Sequence, residues 1–355
     1  MKIAIDQTPL VDKSSMAHRV RGTGFYIKNL EKSLLEYYSN NKYTFFTRGE
    51  ALPNDISLVH FPYFEPFFVT LPVVKKHTTV VTVHDLTPLV FPKEFPYGYK
   101  GLFKWWIQKI SLKRVDAIIA DSECSRQDII RLVKIPEEKV FTVYLAASEE
   151  FSVIDDKTKF LHIRKKYNLP EKFALYVGDV TWNKNLPRLL RAVEEARIPL
   201  VMVGKALVNK KFDKNNFWNK DLVTVQEIAE KNSLIVIVGF VPTEDLVLLY
   251  NMAEVFVMPS LYEGFGLPIL EAMQCGCPVV ATKEGSIPEV VEDAGIYVDA
   301  YNVTKIAKGI KKVFLESDLR KKLSLLGQAQ AKKFSWKKTA TDTMRVYESV
   351  GRNEK

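Results

Sequence analysis

Short runs of β-branched and apolar residues recur along the chain, and each ends near a glycine, an aspartate or a proline. Continuous apolar runs of this length are typical of strands that are buried on both faces. Apolar residues at helical spacing lie between most of the runs, and this alternation predicts parallel sheets covered by helices on both sides. The predicted strands form two sets, namely 2–6, 43–47, 57–61, 79–84, 117–121 and 140–145, followed by 174–178, 200–204, 234–240, 255–259, 278–282 and 295–298.

A polar, charge-rich segment at residues 148–172 separates the two sets of predicted strands. We interpret it as a connection between domains, because 355 residues are too many for one ordinary core. The predicted fold class is α/β, with two facing, Rossmann-like, doubly wound domains and a ligand crevice between them. Residues 1–170 are assigned to the N-terminal domain and residues 171–334 to the C-terminal domain, and a helix at about 335–355 is expected to pack back on the N-terminal domain.

Composition limits the kinds of partner that the protein can bind and the cellular compartment that suits it. The formal net charge of +9 favours a polyanionic partner, which means nucleic acid, anionic lipid or a phosphorylated ligand. The three cysteines cannot form a disulfide framework, which suits a reducing compartment. No apolar run approaches the roughly 20 residues of a membrane-spanning helix, and Asp6 interrupts the first run too early for a signal peptide. We therefore expect a cytoplasmic protein.

The segment SLYEGFGLPILEAMQCGCPVV, residues 260–280, combines a predicted anion site with two carboxylates. Its glycines let a ligand approach the backbone, and Pro268 suits the first turn of a helix. The N–H groups and the dipole at such a helix start favour a phosphate. Glu263 and Glu271 border this site, and carboxylates accept hydrogen bonds from sugar hydroxyls. The segment therefore predicts a binding site for a ligand in which a diphosphate lies between two polyhydroxylated groups.

Simple helix capping is the alternative explanation for the acidic residues of this region. Ser260 and Glu263 have the spacing of a capping box, but Gly264 and the late start of the apolar helix argue against one. Ser286 and Glu289 have the same spacing directly before an apolar run, and there we predict a cap.

The longer stretch SLYEGFGLPILEAMQCGCPVVATKEGSIPEVVEDAG closely resembles the donor-binding signature of glycosyltransferase family 4, the group 1 glycosyl transferases of the GT-B fold. YVGDVTWNKNLPRLLRA, VMVGKAL and VGFVPTEDLVLLYNMAEVFVMPS also resemble this family, as do RGTGFYIKNL, TVHDLTPLVFP and VDAIIADSECSRQDI in the first predicted domain. The resemblance spans most of the chain. It implies an enzyme that transfers a sugar from a nucleoside diphosphate sugar with retention at the anomeric carbon.

The resemblance also implies a role for each matching residue. The catalytic residues it implies are Glu263 at the donor sugar, Lys184 at the leaving phosphate and His84 on the transferred sugar. The donor-binding residues it implies are Glu271 at the ribose hydroxyls, Gly264, Phe265, Gly266 and Leu267 at the diphosphate, Phe240 and Val241 at the base, Lys205 as a second cation, and Gly22 and Gly24 in a loop of the first domain.

Neutralisation of the leaving diphosphate is where this sequence departs from the family. The sequence has no Asp-x-Asp metal motif, so we expect Lys184 and a helix N-terminus to replace a divalent ion, with no cofactor required. Many relatives carry an arginine shortly before this lysine, whereas residues 179–184 are DVTWNK. Lys205 is the preferred second cation and Arg188 is another candidate, while a solvated surface lysine is the alternative for Lys205. The departing diphosphate oxygen is expected to accept the proton of the acceptor hydroxyl.

Several basic residues of the first domain have both functional and structural interpretations. His84 follows a predicted strand and is expected in the crevice, although a hydrogen-bonded core histidine is the simpler alternative. His60, at the end of the neighbouring strand, is expected to be such a core residue. His18, Arg19 and Arg21 precede the two glycines, and they either hold an anionic acceptor or are solvated.

The motif VHDLTPLVFP resembles mannosyltransferases of polysaccharide biosynthesis, so GDP-mannose is the first expectation for the donor and UDP-sugars are the alternative. The acceptor is expected to be a saccharide or a lipid-linked acceptor. A non-catalytic scaffold that binds a sugar nucleotide is a different class, which the missing arginine favours. The joint presence of Glu263, Glu271, Lys184 and His84 argues against it. Nucleic-acid binding is favoured by net charge alone, and we expect none.

Residues 93–114, KEFPYGYKGLFKWWIQKISLKR, combine six basic residues and one acidic residue with a cluster of aromatic residues. Lysine and tryptophan together fit the interface of an anionic membrane, so peripheral contact with the inner face of the cell membrane is expected. One alternative is that Trp105 and Trp106 pack into the core while the lysines are solvated. The other is that bases of a single-stranded nucleic acid stack on the aromatic rings.

Overall fold

The computed structural model describes residues 1–11 and 21–351, and the chain divides into two compact units. The first unit comprises Met1–Ala146 together with the C-terminal segment from Phe334, and the second comprises Ala147–Lys333. Each unit contains one six-stranded sheet. Within the described residues, neighbouring strands pair in parallel throughout. The predicted class, with two Rossmann-like α/β domains, is confirmed.

The sheet of the first unit has the strand order β2-β1-β3-β4-β5-β6. Its strands are β1 (Lys2–Asp6), β2 (Lys42–Phe46), β3 (Leu58–Phe61), β4 (Thr79–Val83), β5 (Ala117–Ala120) and β6 (Val140–Thr142). Every residue of β3, β4 and β5 is buried, which explains why these strands are continuously apolar in sequence.

Six helices are described in the first unit. Numbered in chain order across both units, they are α1 (Thr8–Val11), α2 (Arg21–Tyr37), α3 (Thr87–Val90), α4 (Gly98–Lys113), α5 (Glu123–Asp128), which a π-helical turn at Ile129–Val133 continues, and α14 (Trp336–Gly351). The last of these packs against α2. In α14 the Tyr347 hydroxyl lies 2.7 Å from His60 Nδ1, and the Thr339 hydroxyl donates to the Tyr144 carbonyl oxygen at 2.7 Å. The C-terminal helix therefore forms part of the first unit.

His60 is a core residue of the first unit. It is fully buried, and its Nε2 lies 2.9 Å from the Thr82 hydroxyl. Burial lowers the pKa of His60 to about 3, so the ring is neutral at physiological pH. The structural interpretation of this histidine is confirmed.

The sheet of the second unit has the strand order β12-β11-β10-β7-β8-β9. Its strands are β7 (Ala174–Val177), β8 (Leu200–Val203), β9 (Ile235–Gly239), β10 (Val255–Met258), β11 (Val279–Thr282) and β12 (Gly295–Val298). The first strand of the unit, β7, lies in the middle of the sheet beside β10, and the chain builds outwards from there in both directions. This is the strand order of Rossmann nucleotide-binding domains.

Helices of the second unit pack on this sheet through apolar residues at helical spacing. They are α6 (Lys157–Lys166), α7 (Leu186–Ala196), α8 (Lys220–Lys231), α9 (Thr243–Met252), α10 (Leu267–Gln274), α11 (Ile287–Val291), α12 (Val303–Leu315) and α13 (Ser317–Ala331). In α7 the side chains of Leu186, Leu189 and Val193 are buried in one cluster with Ile306 and Ile310 of α12. No helix within residues 1–11 and 21–351 is both long and apolar enough to cross a membrane.

The boundary between the units lies after Ala146, whereas the sequence predicts a domain boundary at residue 170. The intervening segment contributes α6, in which Lys166 forms a 2.6 Å ion pair with Asp245 of α9. The Tyr167 hydroxyl donates to the same carboxylate. The charged residues of this segment therefore include those of a helix whose polar side chains pair with the rest of the second unit. A charge-rich sequence alone does not distinguish such a helix from a linker.

All twelve predicted strands are confirmed, eleven of them to within one residue at each end, while β6 ends earlier, at Thr142. The loop predicted at Gly22 and Gly24 is wrong, because both residues lie at the start of α2. Burial of Tyr26 and Leu30 on one face of this helix outweighs the low helix propensity of glycine. The candidate acceptor residues His18 and Arg19 lie outside the described residues, as does the side chain of Arg21.

Candidate functional site

The predicted donor residues of the second unit follow two adjacent strands, β7 and β10, at the point where the strand order reverses. Open parallel sheets bind ligands at the carboxyl ends of their strands at such a point. Lys184 ends a 3₁₀ turn, Trp182–Lys184, that follows β7. Glu263 lies in the loop after β10, and Glu271 lies in the next helix, α10.

Lys184 and Glu263 form a bidentate ion pair. Both carboxylate oxygens of Glu263 lie 2.8 Å from Lys184 Nζ. Glu263 is buried and Lys184 is largely buried. A pair that is removed from solvent in this way is weakly screened, and loss of either partner leaves an uncompensated charge. The structure thus brings together two of the three predicted catalytic residues.

Asn183 holds the Lys184 turn against the loop that carries Glu263. Its side-chain Nδ2 donates to the Tyr262 backbone carbonyl oxygen at 3.0 Å, and its backbone carbonyl oxygen accepts a hydrogen bond from the Leu261 N–H at 2.7 Å. Asn183 is buried, so these bonds do not compete with water. The two halves of the ion pair are therefore fixed by backbone contacts immediately beside them.

Asn185 anchors the other side of the turn. It adopts φ 58°, a left-handed conformation that asparagine tolerates, and it is buried. Its Nδ2 donates to the carbonyl oxygens of Pro259 at 2.9 Å and Ala300 at 2.7 Å. Its Oδ1 accepts from Arg188 at 2.8 Å, and the Arg188 guanidinium lies 5.4 Å from the centre of the Tyr301 ring. Arg188, one candidate for the second cation, is thus already engaged by two neighbours.

The loop after β11 fixes the backbone of Glu263 from another direction. The N–H and the hydroxyl of Ser286 both donate to the Glu263 carbonyl oxygen, at 3.2 and 3.0 Å. Gly285 has φ +62°, and a Cβ atom there would lie 2.7 Å from both the nitrogen and the carbonyl oxygen of Glu263. The predicted capping of α11 by the Ser286 side chain is wrong, because this side chain makes no cap hydrogen bond and contacts Glu263 instead.

Gly285→Ala is expected to destabilise the protein by about 3 kcal/mol, because the new methyl group would clash with the backbone of Glu263. Gly98→Ala is the matched control, since Gly98 has φ +59° but open space around its Cβ position. The control should lose only about 1 kcal/mol, the cost of a left-handed alanine. Denaturant unfolding of both variants measures the difference. Equal losses would show that contact with Glu263 plays no part.

The start of α10 has the geometry of an anion site. Gly266 precedes the helix with φ 100°, a conformation that favours glycine, and Pro268 lies in the first turn. In the described part of the chain no side chain caps this helix start, and the buried Ser260 hydroxyl has no hydrogen-bond partner there, which excludes the capping box of Ser260 and Glu263. The N-terminal N–H groups and the positive end of the helix dipole therefore face the end of the sheet where the Lys184–Glu263 pair lies.

Glu271 is a buried carboxyl group that the Tyr250 side chain contacts. Its Oε2 accepts a hydrogen bond from the Tyr250 hydroxyl at 2.9 Å, and the Tyr250 ring packs edge-to-face on Phe151 and Phe256. Burial raises the pKa of Glu271 from its ordinary value of 4.5 to about 7, and the bond from Tyr250 limits the rise. A ligand hydroxyl that donates a hydrogen bond to this carboxylate would stabilise its ionised form.

The remaining predicted donor residues lie after β8 and β9. Lys205 follows β8 and is exposed, Phe240 follows β9 and is exposed, and Val241 is buried. The backbone bond from the Gly204 N–H to the Gly239 carbonyl oxygen, 2.8 Å, shows that these two strand ends are adjacent. Lys205 makes no ion pair in the described part of the chain, so its role as second cation stays a prediction.

Sequence reasoning missed three residues that build this site, namely Asn183, Asn185 and Tyr250, and it assigned a fourth, Ser286, to helix capping. Asparagines on both sides of Lys184 were a usable signal, because they are common where a tight turn needs side-chain hydrogen bonds. Tyr250 lies inside a predicted helix, and nothing in its spacing indicates that its hydroxyl reaches Glu271.

In the first unit, His84 follows β4 and is held by Asp121, which follows β5. His84 Nδ1 lies 2.6 Å from Asp121 Oδ2, and the edge of the Tyr26 ring packs on the imidazole with centroids 5.0 Å apart. Burial alone would lower the pKa of His84, but the Asp121 carboxylate outweighs it, and the net shift is upward. This geometry suits a hydrogen-bonded structural histidine and a ligand-binding one alike, so the sugar contact predicted for His84 stays a prediction.

The profiles of two known families together match most of the chain. The profile described as glycosyl transferases group 1 matches residues 159–330, and the profile described as glycosyltransferase family 4 matches residues 13–150. The chain is 35% identical over 281 residues to O-antigen chain mannosyltransferase B of Escherichia coli, covering 76% of this chain and 69% of that protein. It is 31% identical over 270 residues to serotype-specific mannosyltransferase WbdA of Escherichia coli, covering 74% of this chain but only 32% of that relative.

Comparison with solved structures agrees on the fold. The crystal structure of Alr3699/HepE from Anabaena, in complex with UDP and glucose, superimposes with a TM-score of 0.73 at 16% identity. The superposition covers 98% of this chain and 100% of that chain. At this identity the likeness establishes the shared fold alone.

Proposed function

We propose that this chain, which belongs to the glycosyl transferases of group 1 (glycosyltransferase family 4), is a retaining hexosyltransferase that uses a nucleoside diphosphate sugar. The acceptor in this proposal is a saccharide or a lipid-linked acceptor of glycan biosynthesis. One observation carries the proposal: the Lys184–Glu263 ion pair lies at the carboxyl edge of the second-unit sheet, before the uncapped start of α10. A cation, a carboxylate and an anion-binding helix start are the groups that a sugar diphosphate requires.

Donor binding in this proposal exchanges the internal ion pair for contacts with the ligand. The diphosphate binds at the backbone from Gly264 to Leu267, where the helix start favours an anion. Lys184 then contacts the phosphate next to the sugar, and Glu263 accepts hydrogen bonds from sugar hydroxyls. Glu271 accepts hydrogen bonds from the ribose hydroxyls. The pre-existing pair keeps Lys184 and Glu263 oriented before the donor arrives, which lowers the ordering cost of binding.

In the proposed reaction the bond between the anomeric carbon and the diphosphate oxygen breaks, and its electron pair leaves with the diphosphate. The acceptor hydroxyl oxygen bonds to the anomeric carbon on the same face. Its proton passes to the departing diphosphate oxygen. Lys184 stabilises the negative charge that develops on the leaving group, and this charge is larger in the transition state than in the bound donor.

Mannose, supplied as GDP-mannose, is the sugar that we propose. Two relatives that match about three quarters of this chain are named as mannosyltransferases, and the motif VHDLTPLVFP of the first unit points to the same group. UDP-sugars are the alternative donors, since the similar fold from Anabaena was solved with UDP and glucose.

Thermal unfolding with a panel of donors tests the proposal. GDP-mannose should raise the unfolding temperature more than UDP-glucose, UDP-N-acetylglucosamine or ADP-glucose at equal concentration, and a donor at 100 times its Kd should stabilise the protein by about 2.7 kcal/mol. Slow donor hydrolysis without acceptor should accompany binding. Binding without any hydrolysis or transfer would favour the non-catalytic scaffold, and no shift with any donor would contradict both functions. A larger shift with a UDP-sugar would replace mannose as the substrate.

A further inference from the structure

A groove runs along the outer edge of β12. This strand is the last one on its side of the second sheet, and it pairs with β11. Within residues 1–11 and 21–351, no strand pairs with its other edge. The groove has a volume of about 580 Å³, and four consecutive residues, 296–299, line one of its walls. Alternate residues of an edge strand direct their N–H and C=O groups away from the sheet, so this wall offers backbone hydrogen bonds.

The strand itself is apolar and incompletely covered. Its sequence, GIYV, resembles those of β10 and β11, yet all four of its residues are only half-buried, whereas every residue of β10 and β11 is buried. Ile296 and Val298 pack against the core cluster of the second unit, so the strand is held firmly in place. An apolar edge strand of this kind is a template for pairing with another chain.

Helix α12 supplies the opposite wall with a row of lysines. Lys305, Lys308 and Lys312 line the groove and are exposed. The spacing i, i+3, i+7 places them within about 60° of one another around the helix axis. Lys305 Nζ lies 3.3 Å from a carboxylate oxygen of Asp299, while Lys308 and Lys312 form no ion pair in the described part of the chain. Two cations are therefore available to a ligand in the groove.

A glycine brings this helix close to the strand. Gly309 is buried, and a Cβ atom there would lie 2.4 Å from Val298 Cγ1. Glycine is the residue that permits so close an approach. The lysine row and the edge of β12 thus border one narrow groove.

Positive charge also predominates at the end of the groove. Lys283 lines it, with Nζ 5.1 Å from the centre of the Tyr297 ring. The lining contains four lysines and only two acidic residues, Glu284 and Asp299. A concave surface with this balance attracts acidic ligands.

We propose that an acidic, extended segment of a partner protein binds in this groove as an additional strand of the sheet. Its backbone pairs with the outer edge of β12, and carboxylates on its alternate residues contact the lysines of α12. Side chains on one face of a strand repeat every 6.6 Å or so, and Lys308 and Lys312 are separated by about 6 Å along the helix. The two walls therefore fit a strand with acidic residues at every second position.

Charge and backbone geometry together favour this occupant over others. A second copy of the chain would bring two lysine rows against each other. Nucleic acid and free phosphate satisfy the lysines, but they offer the strand edge no alternating N–H and C=O groups. Lysines beside an edge strand repel unspecific pairing. An acidic strand is the kind that these lysines attract.

Docking of this partner does not rest on the proposed transfer reaction. The groove contains Lys283 and Glu284, which directly precede Gly285 and Ser286 in the loop that fixes Glu263. The partner is therefore held next to the donor site of the second unit, but it uses none of the proposed donor-binding residues.

Peptide binding to the full chain tests the docking. A labelled peptide of about eight residues with alternating glutamate and valine should bind at low salt, and its affinity should fall as the salt concentration rises. The same peptide with N-methyl groups on all its internal amides keeps its charge but donates no backbone hydrogen bond. It should therefore bind at least about tenfold more weakly. Fluorescence anisotropy measures both affinities.

A pair of lysine variants locates the binding site. Replacing Lys308 and Lys312 by glutamine should weaken binding of the peptide about fivefold to tenfold, as expected for two exposed charge pairs. The matched control is Lys311→Gln, Lys322→Gln, which removes two exposed lysines that do not line the groove and should bind like the wild type. Both variants should keep the wild-type shift of unfolding temperature with donor, which distinguishes a failed groove from a failed donor site.

Four results would contradict docking of an acidic strand. The first is a wild-type protein that does not bind the peptide at low salt, or a Lys308→Gln, Lys312→Gln variant that binds it equally well. The second is equal binding of the N-methylated peptide, which would show that the groove recognises charge alone. The third is displacement of the peptide by a single-stranded oligonucleotide that binds more tightly, which would assign the groove to nucleic acid. The fourth is self-association of the lysine variant without peptide binding by the wild type, which would show that the lysines only protect the edge.

Discussion

Replacing Lys184 by alanine should lower the turnover number by about 10²- to 10³-fold while changing the Kd of the donor only a few-fold. In the proposed reaction, the negative charge next to Lys184 is largest when the bond to the diphosphate breaks. In the resting protein both oxygens of Glu263 neutralise this lysine, so the enzyme holds its cation in place before the donor binds. Steady-state kinetics and donor titration of the same variant separate the two quantities.

The control must account for Glu263, which the alanine variant leaves buried and unpaired. That orphaned carboxylate is expected to destabilise the second unit by about 3 kcal/mol or more. The double variant Lys184→Ala, Glu263→Gln removes the orphaned charge, so it should recover most of the stability and none of the turnover. If turnover returned together with stability, Lys184 would act only through the fold.

Replacing Glu271 by glutamine should make the protein more stable and its donor binding weaker. The pKa of Glu271 rises from 4.5 to about 7 on folding, so keeping it ionised in the folded state costs about 3 kcal/mol above pH 7. This cost is absent below pH 4.5, where Glu271 is protonated in both states, and it grows as the pH rises between these values. Denaturant unfolding across this range should therefore show the two proteins diverging as the pH rises.

Donor titration measures the other half of this prediction. A neutral amide accepts hydrogen bonds less strongly than a carboxylate, so the donor Kd should rise about tenfold or more at pH 8. Tyr250→Phe is the control, because it removes the bond that limits the pKa of Glu271, so the divergence from a Glu271→Gln variant should still begin near pH 4.5 but extend to higher pH and become larger. Equal stability of wild type and Glu271→Gln at pH 8 would contradict the burial argument.

Strand positions were predictable from sequence because each strand of a fully covered parallel sheet is a short apolar run. The paired glutamates were predictable for a related reason, since Glu263 and Glu271 flank a glycine turn and a helix start that local chemistry defines. The order of the strands was not predictable in this way. It depends on long-range packing, and it is the order that places the ends of β7 and β10 side by side.

Contacts between distant segments account for what the sequence did not reveal. Lys184 and Glu263 are 79 residues apart, and no local pattern indicates that they pair. Ser286 illustrates the same limit, because its spacing with Glu289 is that of a cap while its hydroxyl contacts Glu263. The charged segment after Ala146 was interpreted as a linker, since the partner of its helix, Asp245, lies far along the chain.

The position of α14 bears on the order in which the protein can fold during synthesis. The second unit is one continuous stretch, Ala147–Lys333, whereas the first unit needs a helix that is made after it. The hydroxyl of Tyr347 reaches His60 across 287 residues of sequence. On the ribosome the second unit can therefore complete its core first, and the first unit must wait with its α14-binding surface uncovered until Trp336–Gly351 emerges.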